Sequence, residues 1–205
     1  MEFEALVKAR HSAVNFDVEV NISECELKTI FDETKLTPSA FNLQPAKYYV
    51  ALEDQKLKER LKIASGGQYK VGTASAVIVL TANTKAYLDT EALNVGAVKL
   101  GILSSQELAE EIKTTKTYYE SRGESFQHFD AIRNASLSAM QFMLAAKNSG
   151  WDTCPVSFDD KLVRAALQLP EEEIPVFMIA LGKEKTTHPR IRGYRRPVSE
   201  FVSFR

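Results

Sequence analysis

Five consecutive apolar residues, Ala76-Val77-Ile78-Val79-Leu80, constrain the fold of this chain more than any other stretch. They are β-branched at the centre and show no polar–apolar alternation, so they read as a buried strand. The run is far shorter than the roughly 18 apolar residues of a membrane-spanning helix. The most apolar stretch, Ala139–Ala146, is also short and contains Gln141. Two more strands are predicted, Lys47–Leu52 and Pro175–Leu181, and Pro197–Phe204 alternates like a final one.

The rest is helix-prone. Glu2–Arg10 can place Phe3, Leu6 and Val7 on one face; Ser23 and Glu26 have capping-box spacing ahead of the stripe Leu27, Ile30, Phe31. Pro38 and Pro45 bracket an ordered loop, and a polar helix spans about Asp54–Ala64. From Lys85 to about Gln127 the chain is polar, with scattered Leu100, Leu103, Leu108 and Ile112, which suggests a helical lid on the core. Phe129–Ser149 is the central helix: Ile132, Ala135, Ala139, Phe142, Met143 and Ala146 keep helical spacing, and Ser136, Ser138 and Ala145 allow close approach on the other side. Gly150 ends it in a left-handed turn, Trp151–Pro155 returns to the core, and Asp159 caps a last helix that ends at Pro170. These elements predict an α+β fold, helix-rich around a modest sheet, in one domain spanning 1–205.

Composition removes several function classes. With 26 Lys and Arg against 27 Asp and Glu, the net charge of −1 offers no general attraction to nucleic acid or an anionic membrane. Cys25 and Cys154 are far apart, Cys154 reads as buried rather than nucleophilic, and His11, His128 and His188 have no ligand spacing, so no metal site is predicted. The acidic N-terminus lacks a signal-peptide pattern, and a soluble cytoplasmic protein is expected. No GxSxG elbow, GxGxxG turn or P-loop occurs, and the Glu171–Glu173 run reads as a solvated face. Anion binding must then use side chains. Arg10-His11-Ser12 and the tail residues Arg190, Arg192, Arg195 and Arg196 are two distant basic clusters whose guanidinium forks suit phosphate oxygens.

Four segments in order, Arg10-His11-Ser12 with Asn15-Phe16-Asp17, Pro38-Ser39-Ala40-Phe41-Asn42-Leu43-Gln44-Pro45, Gly150-Trp151-Asp152-Thr153-Cys154-Pro155 and Arg195-Arg196-Pro197, together resemble the FMN-dependent nitroreductase family across essentially the whole chain. The resemblance implies a central, mostly antiparallel sheet surrounded by helices in an intertwined homodimer, with FMN between subunits and NADH or NADPH as cosubstrate. By similarity Arg10 and Ser12 hold the FMN phosphate, with His11 beside them and Arg195 closing from the tail. The Pro38–Pro45 loop comes from the partner subunit, with Ser39 and Asn42 at the flavin and Gln44 supporting the loop. Gln68 and Lys70 reach the ribityl chain and pyrimidine edge, where Lys70 stabilises negative charge on the reduced flavin.

This chain departs from the family at three places. Relatives often carry glycine after the proline equivalent to Pro155, but here Val156 and Ser157 follow, and either is a candidate to offer its backbone N–H to the flavin. Val14 stands where many relatives have a basic residue. Gly193 stands where some have lysine, leaving Arg192 or Arg196 to compensate. The implied activity is hydride transfer from NAD(P)H through the flavin to nitroaromatics, quinones or similar electron-poor small molecules in a ping-pong cycle, with no obligate catalytic side chain. The alternatives are a flavin storage or regulatory protein and a specialised relative acting on another substrate. Tyr118, Tyr119, Phe126 and Phe129 are candidates to stack on a planar acceptor, or else pack the lid on the core.

Overall fold

The computed structural model describes residues 1–186 and 191–205, so His188 and Arg190 of the predicted basic tail lie outside the described residues. In chain order the main elements are α1 (Phe3–Ala9), α2 (Glu24–Thr34), β1 (Ala46–Ala51), α3 (Gln55–Ala64), α4 (Tyr69–Thr73), β2 (Ala76–Asn83), α5 (Thr90–Lys99), α6 (Ser105–Glu120), α7 (Gly123–Asn148), β3 (Asp152–Val156), α8 (Asp160–Leu167) and β4 (Glu173–Gly182). The strands form one antiparallel sheet in the order β1-β2-β4-β3.

Continuous apolarity in β2 has a simple cause: both of its faces are covered. Ala76, Ile78, Leu80 and Ala82 pack with Leu27 and Ile30 of α2 and with Ala135, Ala139, Phe142 and Ala146 of α7. Val77 and Val79 point the other way, into Leu61 and Ala64 of α3 and Val163 and Ala166 of α8. Each fully buried Val, Ile or Leu contributes about 1.5–3 kcal/mol, so the register of this one strand is strongly specified. The Ser23–Glu26 capping box forms as predicted, and Gly150 takes φ 81° just after α7.

Several expectations are corrected. The central helix begins at Gly123, six residues earlier than the apolar pattern marked. Ile132 is not in its buried stripe: it is 37% exposed and joins Phe129, Leu137 and Met140 on an outward apolar face. α8 ends at Leu167 because Gln168 turns left-handed (φ 51°), before Pro170 is reached. Strand β3 was hidden by Pro155, which an edge strand tolerates. The predicted final strand is an exposed 3₁₀ turn at Val198–Glu200 with irregular chain around it, since no sheet edge pairs with it. Glu173 is no solvated residue: its side chain is 7% exposed and accepts hydrogen bonds from Lys47 Nζ (2.7 Å), the Tyr49 hydroxyl (2.7 Å) and Thr81 Oγ1 (2.9 Å).

The 85–127 segment carries α5, α6 and the start of α7, and it has a small aromatic core of its own. Tyr119 stacks on Tyr87 at 5.2 Å between ring centroids, packs against Phe126, and donates its hydroxyl to Asp130 at 2.5 Å. Tyr119 is therefore a packing residue, whereas Phe129 is 60% exposed on α7. No helix among the described residues is long and apolar enough to cross a membrane.

Candidate functional site

The N-terminal segment reaches the sheet by backbone pairing. Ser12 bridges to Thr153, Ala13 N–H donates to the Thr153 carbonyl (3.1 Å), Phe16 bridges to Glu184, and Asp17 N–H donates to the Lys183 carbonyl (2.8 Å). Gly182 permits this crossing, because a Cβ there would lie 2.8 Å from the Phe16 ring. Arg10-His11-Ser12 is thereby laid beside Cys154-Pro155 at the open edge of β3.

The tail closes over the same place. Arg10, Ser12, Lys70, Pro155, Arg192 and Arg195 line one cleft of about 460 Å³, together with His11, Val14, Cys154, Ile191 and Gly193. Arg10 and the tail residues Arg192 and Arg195, more than 180 positions apart, thus line one cleft. No carboxylate lines the cleft among the described residues. Burial, and then the charges of Arg192 and Arg195, pull the Arg10 guanidinium below its ordinary value. Lys70, from the short α4, makes no ion pair among the described residues. Among the described residues Arg195 Nη1 donates to the nearby carbonyls of Gly193 (2.8 Å) and Tyr194 (3.1 Å).

Two members of the set have additional duties. Arg192 Nη2 donates to the carbonyls of Val7 (3.2 Å), Lys8 (3.0 Å) and Arg10 (2.6 Å), so it satisfies orphan groups at the end of α1 and ties the tail to it. His11 has Nδ1 2.9 Å from the Ala9 carbonyl and Nε2 2.6 Å from Glu184 Oε2, so its ring braces the segment from both sides. Glu184 escaped the sequence reading because it belongs to no motif; only the Phe16–Glu184 bridge brings it near. Arg196 does not line the cleft.

Gln68 and Ser157 also meet. Gln68 Nε2 donates to the carbonyls of Ser65 (3.0 Å) and Ser157 (3.2 Å) and lies 3.4 Å from Ser157 Oγ. Val156 is buried in the sheet opposite Met178. The Pro38–Pro45 loop lies elsewhere in the same chain: Pro38, Ser39 and Gln44 line a cleft with Asn134 and Ser138, and Asn42 lines another beside α6. Phe41, Asn42 and Gln44 all hold positive φ (51°, 53° and 46°) without glycine, a strained turn that needs bracing. Ser39 Oγ accepts from Gln44 N–H (2.9 Å), Gln44 Nε2 donates to the Asn42 carbonyl (3.3 Å), and Asn134 Oδ1 accepts from Ala40 N–H (2.8 Å). Asn134, on the central helix, was not identified from sequence.

The fold is α+β, with an antiparallel sheet at whose edge several arginines line one cleft. The sequence matches the nitroreductase family over residues 7–183, and the chain belongs to that family. It is 48% identical over 204 residues, covering 99% of this chain and 98% of the other, to MhqN of Bacillus subtilis, which carries the provisional name NAD(P)H nitroreductase. Among solved structures it resembles the B. subtilis nitroreductase-named ydfN protein, with TM-score 0.95, 47% identity and coverage of 100% and 99% of the two chains. It also resembles a provisionally named nitroreductase from Exiguobacterium sibiricum solved in complex with FMN, with TM-score 0.92, 27% identity and coverage of 100% and 98%.

Proposed function

We propose that this chain is one subunit of a homodimeric, cytoplasmic NAD(P)H oxidoreductase that uses FMN and reduces nitroaromatics, quinones or similar electron-poor acceptors. The observation that carries this reading is the convergence of Arg10, Arg192, Arg195 and Lys70 on one cleft with no carboxylate among them. In a chain of net charge −1 such a concentration of cations fits a dianionic phosphate.

The chemistry that FMN supplies when bound is two-electron transfer, accepted from NADH or NADPH and handed to a second substrate in alternating half-reactions. Arg10, Ser12 and Arg195 would hold its phosphate, and Arg192 would keep Arg10 in place through the end of α1. Lys70 would place a positive charge beside the ring system, and the Ser157-anchored Gln68 would orient the linker. Val156 or Ser157 would offer a backbone N–H to the ring edge. The Pro38–Pro45 loop of a second copy would complete the site with Ser39 and Asn42. Its braced, strained conformation supports this reading, as does the outward apolar face of Phe129, Ile132, Leu137 and Met140, which is suited to close helix packing between subunits.

The purified protein is expected to sediment as a dimer, to show a flavin absorbance spectrum after FMN is added, and to bleach anaerobically with NADH or NADPH. Colour that returns with a quinone or nitroaromatic completes the cycle. A protein that retains no added FMN refutes the cofactor assignment; one that retains FMN but never bleaches is a storage protein instead.

A further inference from the structure

The Pro38–Pro45 loop keeps Phe41, Asn42 and Gln44 at positive φ, where side chains other than glycine sit only at a cost, and such a turn persists where its surroundings over-determine it. The bonds made by Ser39 are internal and would travel with the loop: its carbonyl accepts from Asn42 N–H (3.0 Å) and its Oγ from Gln44 N–H (2.9 Å). Ala40 N–H is different. It donates to Asn134 Oδ1 (2.8 Å), so it ties the turn to helix α7.

Asn134 has no choice about which end of its amide faces the loop. Its Nδ2 donates to the Asp130 carbonyl (2.8 Å) and to Asp130 Oδ2 (3.0 Å), which leaves Oδ1 as the acceptor for Ala40. Asp130 Oδ2 also accepts from the hydroxyl of Tyr119 on α6 (2.5 Å), and Tyr119 is itself fixed by stacking on Tyr87. Burial, and then the Asp130 carboxylate, push the Tyr119 hydroxyl above its ordinary value, so it stays a donor. Donor and acceptor roles are thus set along one line of bonds from Tyr119 through Asp130 and Asn134 to Ala40, and all three side chains belong to buried residues. The nearest cation is a weak counter-charge: Arg133 Nη1, on an exposed side chain, stands 3.8 Å from Asp130 Oδ1. A carboxylate buried on those terms is a costly way to join α6 to α7, since an apolar pair would join them as well. An apolar pair could not hold the Asn134 amide in the orientation that Ala40 N–H requires.

We infer that Asp130 and Asn134 are positioning residues: backed by the Tyr119 hydroxyl, they set the conformation of the Pro38–Pro45 loop and, through its Ser39 and Asn42, the fit of flavin and acceptor at the site which that loop completes. The consequence for the flavin rests on the function proposed above. The hold on the loop does not.

Amide hydrogen exchange of residues 39–44 in the full-length protein reads the loop directly, and FMN affinity together with acceptor KM and kcat reads the consequence. Asp130→Leu and Asn134→Leu should each speed loop exchange and weaken FMN by about tenfold, and raise acceptor KM more than they lower kcat. Tyr119→Phe keeps the ring and its stacking and should act in the same direction by less, so the comparison survives if a leucine variant fails to fold. Asp130→Asn still offers one oxygen to both donors and should stay near the parent in every readout. Glu173→Gln, which unsettles the fold elsewhere, controls for lost stability and should leave loop exchange unchanged. Loop exchange at the parent rate in the disrupting variants, equal effects from Asp130→Asn and Asp130→Leu, or a loosened loop with flavin affinity and acceptor KM unchanged would overturn the inference. A parent protein that retains no added FMN removes the proposed function instead, and the exchange comparison still decides whether Asp130 and Asn134 hold the loop.

Discussion

Two charged clusters of this molecule differ in one respect that separates scaffold from site. Around Glu173 every charge is answered from within: Lys47, Tyr49 and Thr81 donate to a carboxylate that is almost entirely covered. Around Arg10 the charges of the described residues that line the cleft are all of one sign. Burial alone would raise the Glu173 carboxyl, but hydrogen bonds from Lys47, Tyr49 and Thr81 outweigh it and hold the group below its usual range. At Arg10 burial and like charges act in the same direction, against the charged form. A cluster that closes on itself stabilises the fold. One that stays open is available to a ligand.

The sharpest way to break the comparison is at Arg10. Arg10→Ala should weaken FMN retention by about 1.5–3 kcal/mol, on the order of 10- to 150-fold in Kd, with little change in the melting temperature. Arg195→Ala should act in the same direction. Flavin content after gel filtration reads the effect, and undiminished flavin in both variants would show that the open cluster is not a phosphate site.

Glu173→Gln should do the reverse, costing about 2 kcal/mol of stability while leaving flavin affinity intact. The sign with pH follows from the depressed carboxyl. Its contribution is complete above the ordinary glutamate range near about 4.3 and is lost as pH falls through the lower folded-state value. Denaturant midpoints of parent and variant should therefore be well separated near neutral pH and converge in acid. A gap that stays constant down to about pH 2 would mean that ionisation of Glu173 is not what stabilises the fold.

Arg192 lies between the two cases, lining the open cleft while its Nη2 is spent on three carbonyls of the α1 end. Arg192→Ala is expected to cost about 1 kcal/mol of stability and to weaken flavin less than Arg10→Ala does. An equal or larger flavin loss would make it a direct phosphate ligand instead.

Much of this was legible in the residues. The Ser23–Glu26 capping box is local chemistry, and it formed where the spacing placed it. The β2 strand was readable because continuous apolarity leaves few other folds open. Glu173 was not readable, since a glutamate next to other glutamates looks solvated until Thr81 and Lys47 meet it across strands; Glu184, between two lysines, belongs to no motif until Phe16 is drawn to its segment. Ile132 fitted the helical stripe by spacing, yet rotation of α7 over the sheet left it outside.

By itself the sequence determined the elements with local causes: caps, breakers, the buried strand, and two basic clusters suited to one kind of ligand. Only the tertiary structure decided that those clusters share a cleft, that Arg192 holds the end of α1, and that Glu173 is covered and answered by Lys47, Tyr49 and Thr81. Capping and periodicity act over a few residues, whereas partners 173 or 182 positions apart are chosen by strand pairing and by what the packed sheet leaves room for.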